Sequence, residues 1–364
     1  MRVLVTGATG YVGGRLVPEL LAAGHEVRTT TSHPGRELPW WGERVETVQM
    51  DGRDAAAVRA ACRDMDAVYY LIHGMARTDF ADADRKVAQN MATAVDEHRV
   101  SRLVYLSGVL PDVAERELSE HLSSRLEVER ILSDTSATVV TLRAAVILGS
   151  GSTSFEIIRQ VSERLPVQLV PAWMNSEVQP IAVVDVLAAL VSALDYTGPS
   201  RHFDIGGPDR MAYADLLDVY SREADLIRPQ FQVTLLPSRL VGSLIAGLTD
   251  VPPATVEALV ESLSHDMVCS EDGLHQLLSE EYQPLDLATA IRRSLRERRV
   301  PAEEADPMGP LPQDPAWSGG GDEDQRPRLA RALDAARSAV FGDRPAFSDE
   351  SGAGPDLGPS RRRR

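Results

Sequence analysis

Cysteine is nearly absent: the 364 residues contain two, Cys62 and Cys269. Two distant thiols make no disulfide framework and no metal-type spacing, so a reducing, cytoplasmic compartment and no metal site are expected. Long apolar runs are missing too. None approaches the roughly 20 residues that cross a bilayer, so any membrane contact would be peripheral at most. Positive charge is in short supply, with 38 Lys and Arg against 54 Asp and Glu and a formal charge of -16. Such a surface repels phosphate backbones and anionic lipid heads, which excludes nucleic acid as an expected partner. The first strand-like run begins at Arg2, so no cleavable leader is expected. No internal repeat is evident.

What is present is a strand–helix alternation. Over residues 1–150, VLVT, HEVRTTT, VETVQM, AVYYLI, RLVYLS and TVVTLRAAVIL read as strands. The stretches 12–23, 54–62, 82–98 and 119–134 read as helices. Apolar strands alternating with helices imply an α/β fold, a doubly wound parallel sheet of Rossmann type. From 151 to 300 the rhythm loosens into helices near 153–164, 184–195, 213–225, 238–248, 252–264 and 284–298, with HFDIGG extended at 202–207. This stretch is expected to be a smaller, mostly helical lobe interleaved with the sheet, serving substrate or partner. Residues 301–364 are rich in Pro, Gly and charge and are expected to be a largely disordered tail, although RLARALDAARSAVF within it has helical composition.

The first loop carries the strongest motif, TGATGYVGG. Gly7, Gly10 and Gly13 come directly after a strand and open a helix. Gly7 permits the sharp turn, Gly10 lets backbone approach a pyrophosphate, and Gly13 lets the helix lie close to the strand. The free amides and positive end of the helix then face the phosphates. A dinucleotide is the expected ligand. The second strand ends EVRTTTSHPGRE without an acid for ribose hydroxyls. Thr31, Ser32, His33 and Arg36 suit an extra phosphate instead, which leans to NADP over NAD; Arg28 reads as a solvated strand position. Asp51 closes the third strand and either accepts from the adenine amino group or caps the helix near Asp54.

TGATGYVGG, the Asp51/Asp54 pair, VYLSG at 104–108 and QPIAVVDV at 179–186 resemble the atypical short-chain dehydrogenase/reductases. Within them the chain is similar to the NmrA-like NAD(P)-binding group, which is akin to an accessory NAD(P)-binding subunit of respiratory complex I. The resemblance implies NADP or NAD binding by Gly7, Thr9, Gly10, Tyr11, Val12, Gly13, Ser32, Arg36, Asp51, Leu71 and Ser107. It also implies an extra C-terminal domain after a segment like DPAWSGG, found here at 314–320; residues 321–364 are few and polar by comparison.

Active members of that superfamily use a Tyr-x-x-x-Lys pair with a serine at the fifth strand's end. The tyrosine exchanges a proton with the substrate oxygen, and the lysine lowers its pKa and holds ribose. Ser107 is at the expected strand end. The helix that should carry the pair reads EHLSSR, placing His121 and Arg125 in the two slots. Arginine keeps the charge but does not deprotonate; histidine can shuttle a proton, or both residues are merely surface or ribose contacts. His73, Tyr70 and Met75 at the end of the fourth strand, Asn90 on the next helix, and Tyr105 complete the candidates. The candidate catalytic set is therefore His121, Arg125, Ser107 and His73. The apolar stretch 239–263 either lines a pocket for a hydrophobic substrate or packs as an amphipathic helix pair. Three functions are compatible with these features: an oxidoreductase on a hydrophobic carbonyl or quinone-like compound, a non-catalytic NAD(P)-binding redox sensor acting on a protein partner, or an assembly protein.

Overall fold

The computed structural model describes residues 1–33, 35, 37–73, 80–233 and 237–318. Arg36 and Met75, named above, lie outside the described residues. The strands are β1 (Arg2–Val5), β2 (Glu26–Thr31), β3 (Glu46–Gln49), β4 (Ala67–Tyr70), β5 (Arg102–Gly108), β6 (Thr138–Ala144), β7 (Ile147–Leu148), β8 (Gln168–Pro171), β9 (Glu177–Val178), β10 (Ile181–Ala182), β11 (Arg201–Ile205), β12 (Met211–Ala212) and β13 (Gln230–Val233). The helices are α1 (Tyr11–Ala22), α2 (Ala55–Cys62), α3 (Phe80–His98), α4 (Glu120–Ser133), α5 (Thr153–Arg164), α6 (Val183–Ser192), α7 (Tyr213–Glu223), α8 (Ser238–Leu248), α9 (Pro253–Ser262), α10 (Gly273–Leu277) and α11 (Leu287–Ser294).

Seven strands form one sheet in the order β11-β6-β5-β4-β1-β2-β3, and every neighbouring pair is parallel. The two-residue period of a strand divides its side chains between two cores. Val3, Val5, Tyr69 and Val104 pack on the α1 and α6 side. Leu4, Val68, Tyr70, Leu103 and Tyr105 pack with α2, α3 and α4 on the other. This is the expected doubly wound arrangement, and its carboxyl strand ends open on one edge.

Four readings change in detail. The long run 138–148 breaks after Ala144, because the Val146 carbonyl accepts from Ile181 N–H at 2.9 Å and β7 leaves the sheet to pair with β10. HFDIGG returns to the main sheet as its edge strand β11, pairing with β6. Arg28 is not solvated: it is buried, with Nε donating to Glu46 at 2.8 Å and Nη1 to the carbonyls of Ala61 and Arg63. The chain also does not open at 301, since residues 301–318 pack on the body and Met308 is fully buried.

That packing centres on Arg15 of α1. Its guanidinium binds Asp314 through two contacts, at 2.6 and 2.9 Å. It also donates to the carbonyls of Pro307, Ser150 and Gly309. Both partners are almost fully buried, at 0% and 5% side-chain exposure, so the attraction acts with little screening and every donor is answered. Asp185 of the QPIAVVDV stretch is a second buried anchor: it accepts from the Tyr282 hydroxyl at 2.7 Å and from Leu285 N–H at 3.1 Å. The 239–263 stretch folds as the α8–α9 pair. Ala246, Leu248, Val256 and Val260 close on Ile157 and Val161 of α5, with Trp317 packed against them.

Candidate functional site

The glycine turn is built from backbone. Gly7 adopts φ +72°, a left-handed conformation that side chains disfavour, and a Cβ there would lie 2.6 Å from the Leu71 carbonyl oxygen. A Cβ on Gly13 would lie 2.3 Å from the Gly7 carbonyl oxygen. Gly10 caps α1 with extended backbone, and its N–H donates to the Gly7 carbonyl at 2.9 Å. Tyr11, Val12 and Gly13 then supply first-turn amides that no earlier helical carbonyl reaches. No acidic side chain stands in that turn, so nothing competes for an anion at the positive helix end. This cradle, which any Cβ at Gly7 or Gly13 would fill, fits a dinucleotide pyrophosphate.

From the turn, a cleft of about 290 Å³ runs along the carboxyl ends of β4 and β5. Gly7, Gly10, Tyr11, Val12, Gly13, Leu71, Ser107, His73, His121 and Arg125 all line it. Positions far apart in the chain thus meet the glycine turn, because parallel strands end on one edge. Ser32 and Asp51 are not among the lining residues; both are exposed beyond the tips of β2 and β3. Ser32 Oγ lies 3.0 Å from His33 Nδ1. Asp51 accepts from Arg53 N–H, Nε and Nη2 at 2.9, 3.2 and 2.9 Å, and those bonds hold its pKa below the ordinary carboxylate value. The α2 cap is Asp54, which accepts from Ala56 N–H at 2.9 Å, so the capping alternative for Asp51 is set aside. Asn90 braces this loop through a 2.9 Å bond to the Gly52 carbonyl.

Tyr11 departs from a simple cofactor contact. Its ring lies under the Arg15 guanidinium, 4.1 Å from the ring centroid. Its hydroxyl is buried so close to Gly149 that a Cβ there would come within 2.1 Å. Burial pushes the phenol pKa up. The phenol therefore faces the interior, leaving the amide and ring edge toward the cleft. Tyr70 and Tyr105 are packed in the core, 1% and 3% exposed, in an edge-to-face pair; burial raises both phenols.

At the far end, α4 begins with Ser119 as its cap, accepting from Leu122 N–H at 3.3 Å. That cap puts His121 in the first turn and Arg125 one turn on, facing the same way. Arg125 Nη1 donates to the Leu106 carbonyl at 3.0 Å and Nε to His121 Nε2 at 3.4 Å. The rings of His73 and His121 lie 4.9 Å apart. Burial, then Arg125 and the neighbouring His73, push the His121 pKa down to about 2. Burial and Arg125 push His73 well below its ordinary value. Both imidazoles are neutral near pH 7, and neither acts there as a standing imidazolium acid. The chain's single lysine, Lys86, is exposed on α3, so the cation in this corner is Arg125.

Asp84, which sequence reading passed over, lies on α3 with Oδ2 3.6 Å from His73 Nδ1. Its signal was available: Asp84, Val87, Ala88 and Met91 share the buried stripe of α3, and an acid inside an apolar stripe needs a partner. Leu259, Ser262 and Met267 also reach the cleft from α9 and beyond. Among the described residues no cluster of His, Cys, Asp and Glu can hold a metal ion, and no helix is long and apolar enough to cross a membrane.

A family model described as NAD(P)H-binding matches residues 7–191, just over half of the chain. The chain is 26% identical over 254 residues to the mitochondrial NADH dehydrogenase [ubiquinone] 1 alpha subcomplex subunit 9 of Arabidopsis thaliana, which covers 66% of this chain and 62%, less than two thirds, of that protein. It is 30% identical over 215 residues to the (4-alkanoyl-5-oxo-2,5-dihydrofuran-3-yl)methyl phosphate reductase of Streptomyces griseus, covering 57% of this chain and 68% of that one. A Staphylococcus aureus nucleoside-diphosphate-sugar epimerase superposes over 80% of this chain and 100% of its own, with a TM-score of 0.65 at 15% identity. That last likeness speaks to fold alone.

Proposed function

Because this chain belongs to the NAD(P)H-binding family, as an atypical short-chain dehydrogenase/reductase, we propose that it is an NAD(P)-dependent oxidoreductase of the NmrA-like kind, acting in the cytoplasm on a hydrophobic carbonyl, alcohol or quinone-like compound. Residues 1–150 would carry the dinucleotide and 151–300 the substrate, with 301–364 accessory. The observation that carries this reading is the shape of the cleft. It starts at the amides of the glycine turn and ends among Leu106, Leu122, Ile147, Leu259 and Met267, with His73, His121 and Arg125 set into the wall.

In this reading Gly7, Gly10, Gly13 and the amides of Tyr11 and Val12 hold the pyrophosphate, with Thr9 and Leu71 flanking it. When bound, the nicotinamide ring accepts or supplies hydride. Ser107 and His121 stand where hydroxyl and proton-bearing groups meet a substrate oxygen, and Arg125 fixes the His121 ring. The apolar lining removes water, which strengthens each of these contacts. Thr31 and Ser32 at the tip of β2, with Asp51 turned to Arg53, favour the extra phosphate of NADP over NAD. The plant relative's name places that protein in an NADH dehydrogenase complex, and the replacement of Tyr and Lys by His121 and Arg125 favours a second reading, a dinucleotide-binding regulatory module that touches a protein partner.

Calorimetry with NAD, NADH, NADP and NADPH tests the common premise; no heat with any of them overturns it. Absorbance of NADPH is then tracked with apolar ketones, enones and quinones. Turnover that His121→Phe abolishes while the binding heat persists supports the enzyme. Binding without turnover on the whole panel supports the regulatory module.

A further inference from the structure

His121 Nδ1 and His73 Nε2 are both buried, and neither has a hydrogen-bond partner among the described residues. Two such atoms on adjacent rings are unusual, since buried polar atoms are ordinarily answered. Their protonation is set by their neighbours. Arg125 Nε–H donates to His121 Nε2, and arginine has only donors, so in the neutral ring the proton sits on Nδ1. Asp84 Oδ2 lies 3.6 Å from His73 Nδ1, so a carboxylate favours the proton on that nitrogen and leaves Nε2 as a bare acceptor. The two orphan atoms are therefore one donor and one acceptor, on rings 4.9 Å apart, in a wall that also contains Ile72, Leu106 and Leu122.

Resting on the reading that this end of the cleft receives substrate, we propose that His73 and His121 form a subsite for one uncharged hydroxyl group on an apolar skeleton. His121 Nδ1–H donates to the hydroxyl oxygen, and His73 Nε2 accepts the hydroxyl hydrogen. A carboxylate or phosphate would set lone pairs against His73 Nε2. An ammonium would set its hydrogens against His121 N–H with Arg125 behind. A ketone answers only His121 and leaves His73 Nε2 unpaired. Of these groups the hydroxyl alone answers both atoms, so the pair selects alcohol over ketone. Asp84 is here a positioning residue, acting through the tautomer of His73.

The experiment uses the full chain with and without NADP. Two-bond proton–nitrogen spectra of the histidine rings, assigned with His73→Phe and His121→Phe, read each tautomer. Titration with cyclohexanol and cyclohexanone reads the preference. The expected result is a proton on Nδ1 of both rings, cyclohexanol bound about tenfold tighter than cyclohexanone, and loss of that ratio in His73→Phe. Asp84→Ala should mix the His73 tautomers. A proton on His73 Nε2 in the wild type, or equal affinities for the two probes, overturns the subsite. If His73→Phe does not fold, the wild-type tautomers and affinity ratio still decide. Calorimetry with NADP on the same sample separates the two failures: correct tautomers without NADP heat sink the dinucleotide reading alone, and NADP heat with wrong tautomers sinks the subsite alone.

Discussion

At one end of the cleft, three glycines within seven residues make the cradle, and the ligating atoms are backbone amides. At the other end, four side chains from three elements converge: His73 after β4, Asp84 on α3, and His121 with Arg125 on α4. The first end depends on what is missing, the Cβ atoms. The second depends on what packing brings near. Substitution at the glycine end therefore acts by collision, and substitution at the histidine end acts by changing which hydrogen bonds and protonation states are available.

The largest effect is expected behind the glycine end, where Asp314 reaches α1 from the far end of the described chain. Asp314→Ala leaves the Arg15 guanidinium buried without its carboxylate, which should cost about 3–5 kcal/mol of stability in urea unfolding. The pair Arg15→Met with Asp314→Leu should recover most of that loss. A cost below about 1 kcal/mol for Asp314→Ala would mean that residues 301–318 are loosely held.

Next comes the cradle itself. Gly13→Val drives side-chain atoms into the Gly7 carbonyl, at about 1–3 kcal/mol of strain, and should remove dinucleotide binding in calorimetry. His121→Phe at the other end should leave that binding within about twofold, because the side chain it alters is remote from the amides that hold phosphate. Equal losses in the two variants would erase the distinction between the ends.

The histidine end should also show in the pH dependence of stability. His121 takes a proton near pH 6.5 when unfolded and at about 2 in the fold. Between those values the unfolded chain binds more protons, so stability is fully present above pH 6.5 and falls as pH drops below it, by up to about 1.4 kcal/mol per pH unit for this group. His121→Phe should flatten the urea midpoint against pH between 6.5 and 4.5 relative to wild type. Identical slopes would contradict a buried neutral ring.

The smallest effect belongs to the exposed pair beyond both ends. Arg53→Ala releases Asp51 and should change stability by less than about 1 kcal/mol, while shifting the NADP to NAD affinity ratio a few-fold in competition calorimetry.

How much of this was legible depends on the range of the interactions. The βα alternation, the glycine turn and the two slots at 121 and 125 were readable because each is a local pattern: strand period, helix period, glycine spacing. The single run 138–148 gave no warning that it would break, because the carbonyl that accepts from Ile181 belongs to a contact 35 positions away in the chain. Arg28 looked solvated for the same reason, since its three acceptors lie on β3 and past the end of α2.

The amino-acid order by itself determined a parallel sheet, a phosphate-binding turn and an absence of the usual Tyr–Lys pair, all of which rest on short-range spacing and on which side chains are present. Only the tertiary structure decided that Asp314 closes on Arg15, that the Tyr11 phenol turns inward, and that His73 and His121 stand side by side as neutral rings. Those outcomes depend on burial and on charges far apart in the chain, and desolvation acts only once the fold has removed the water.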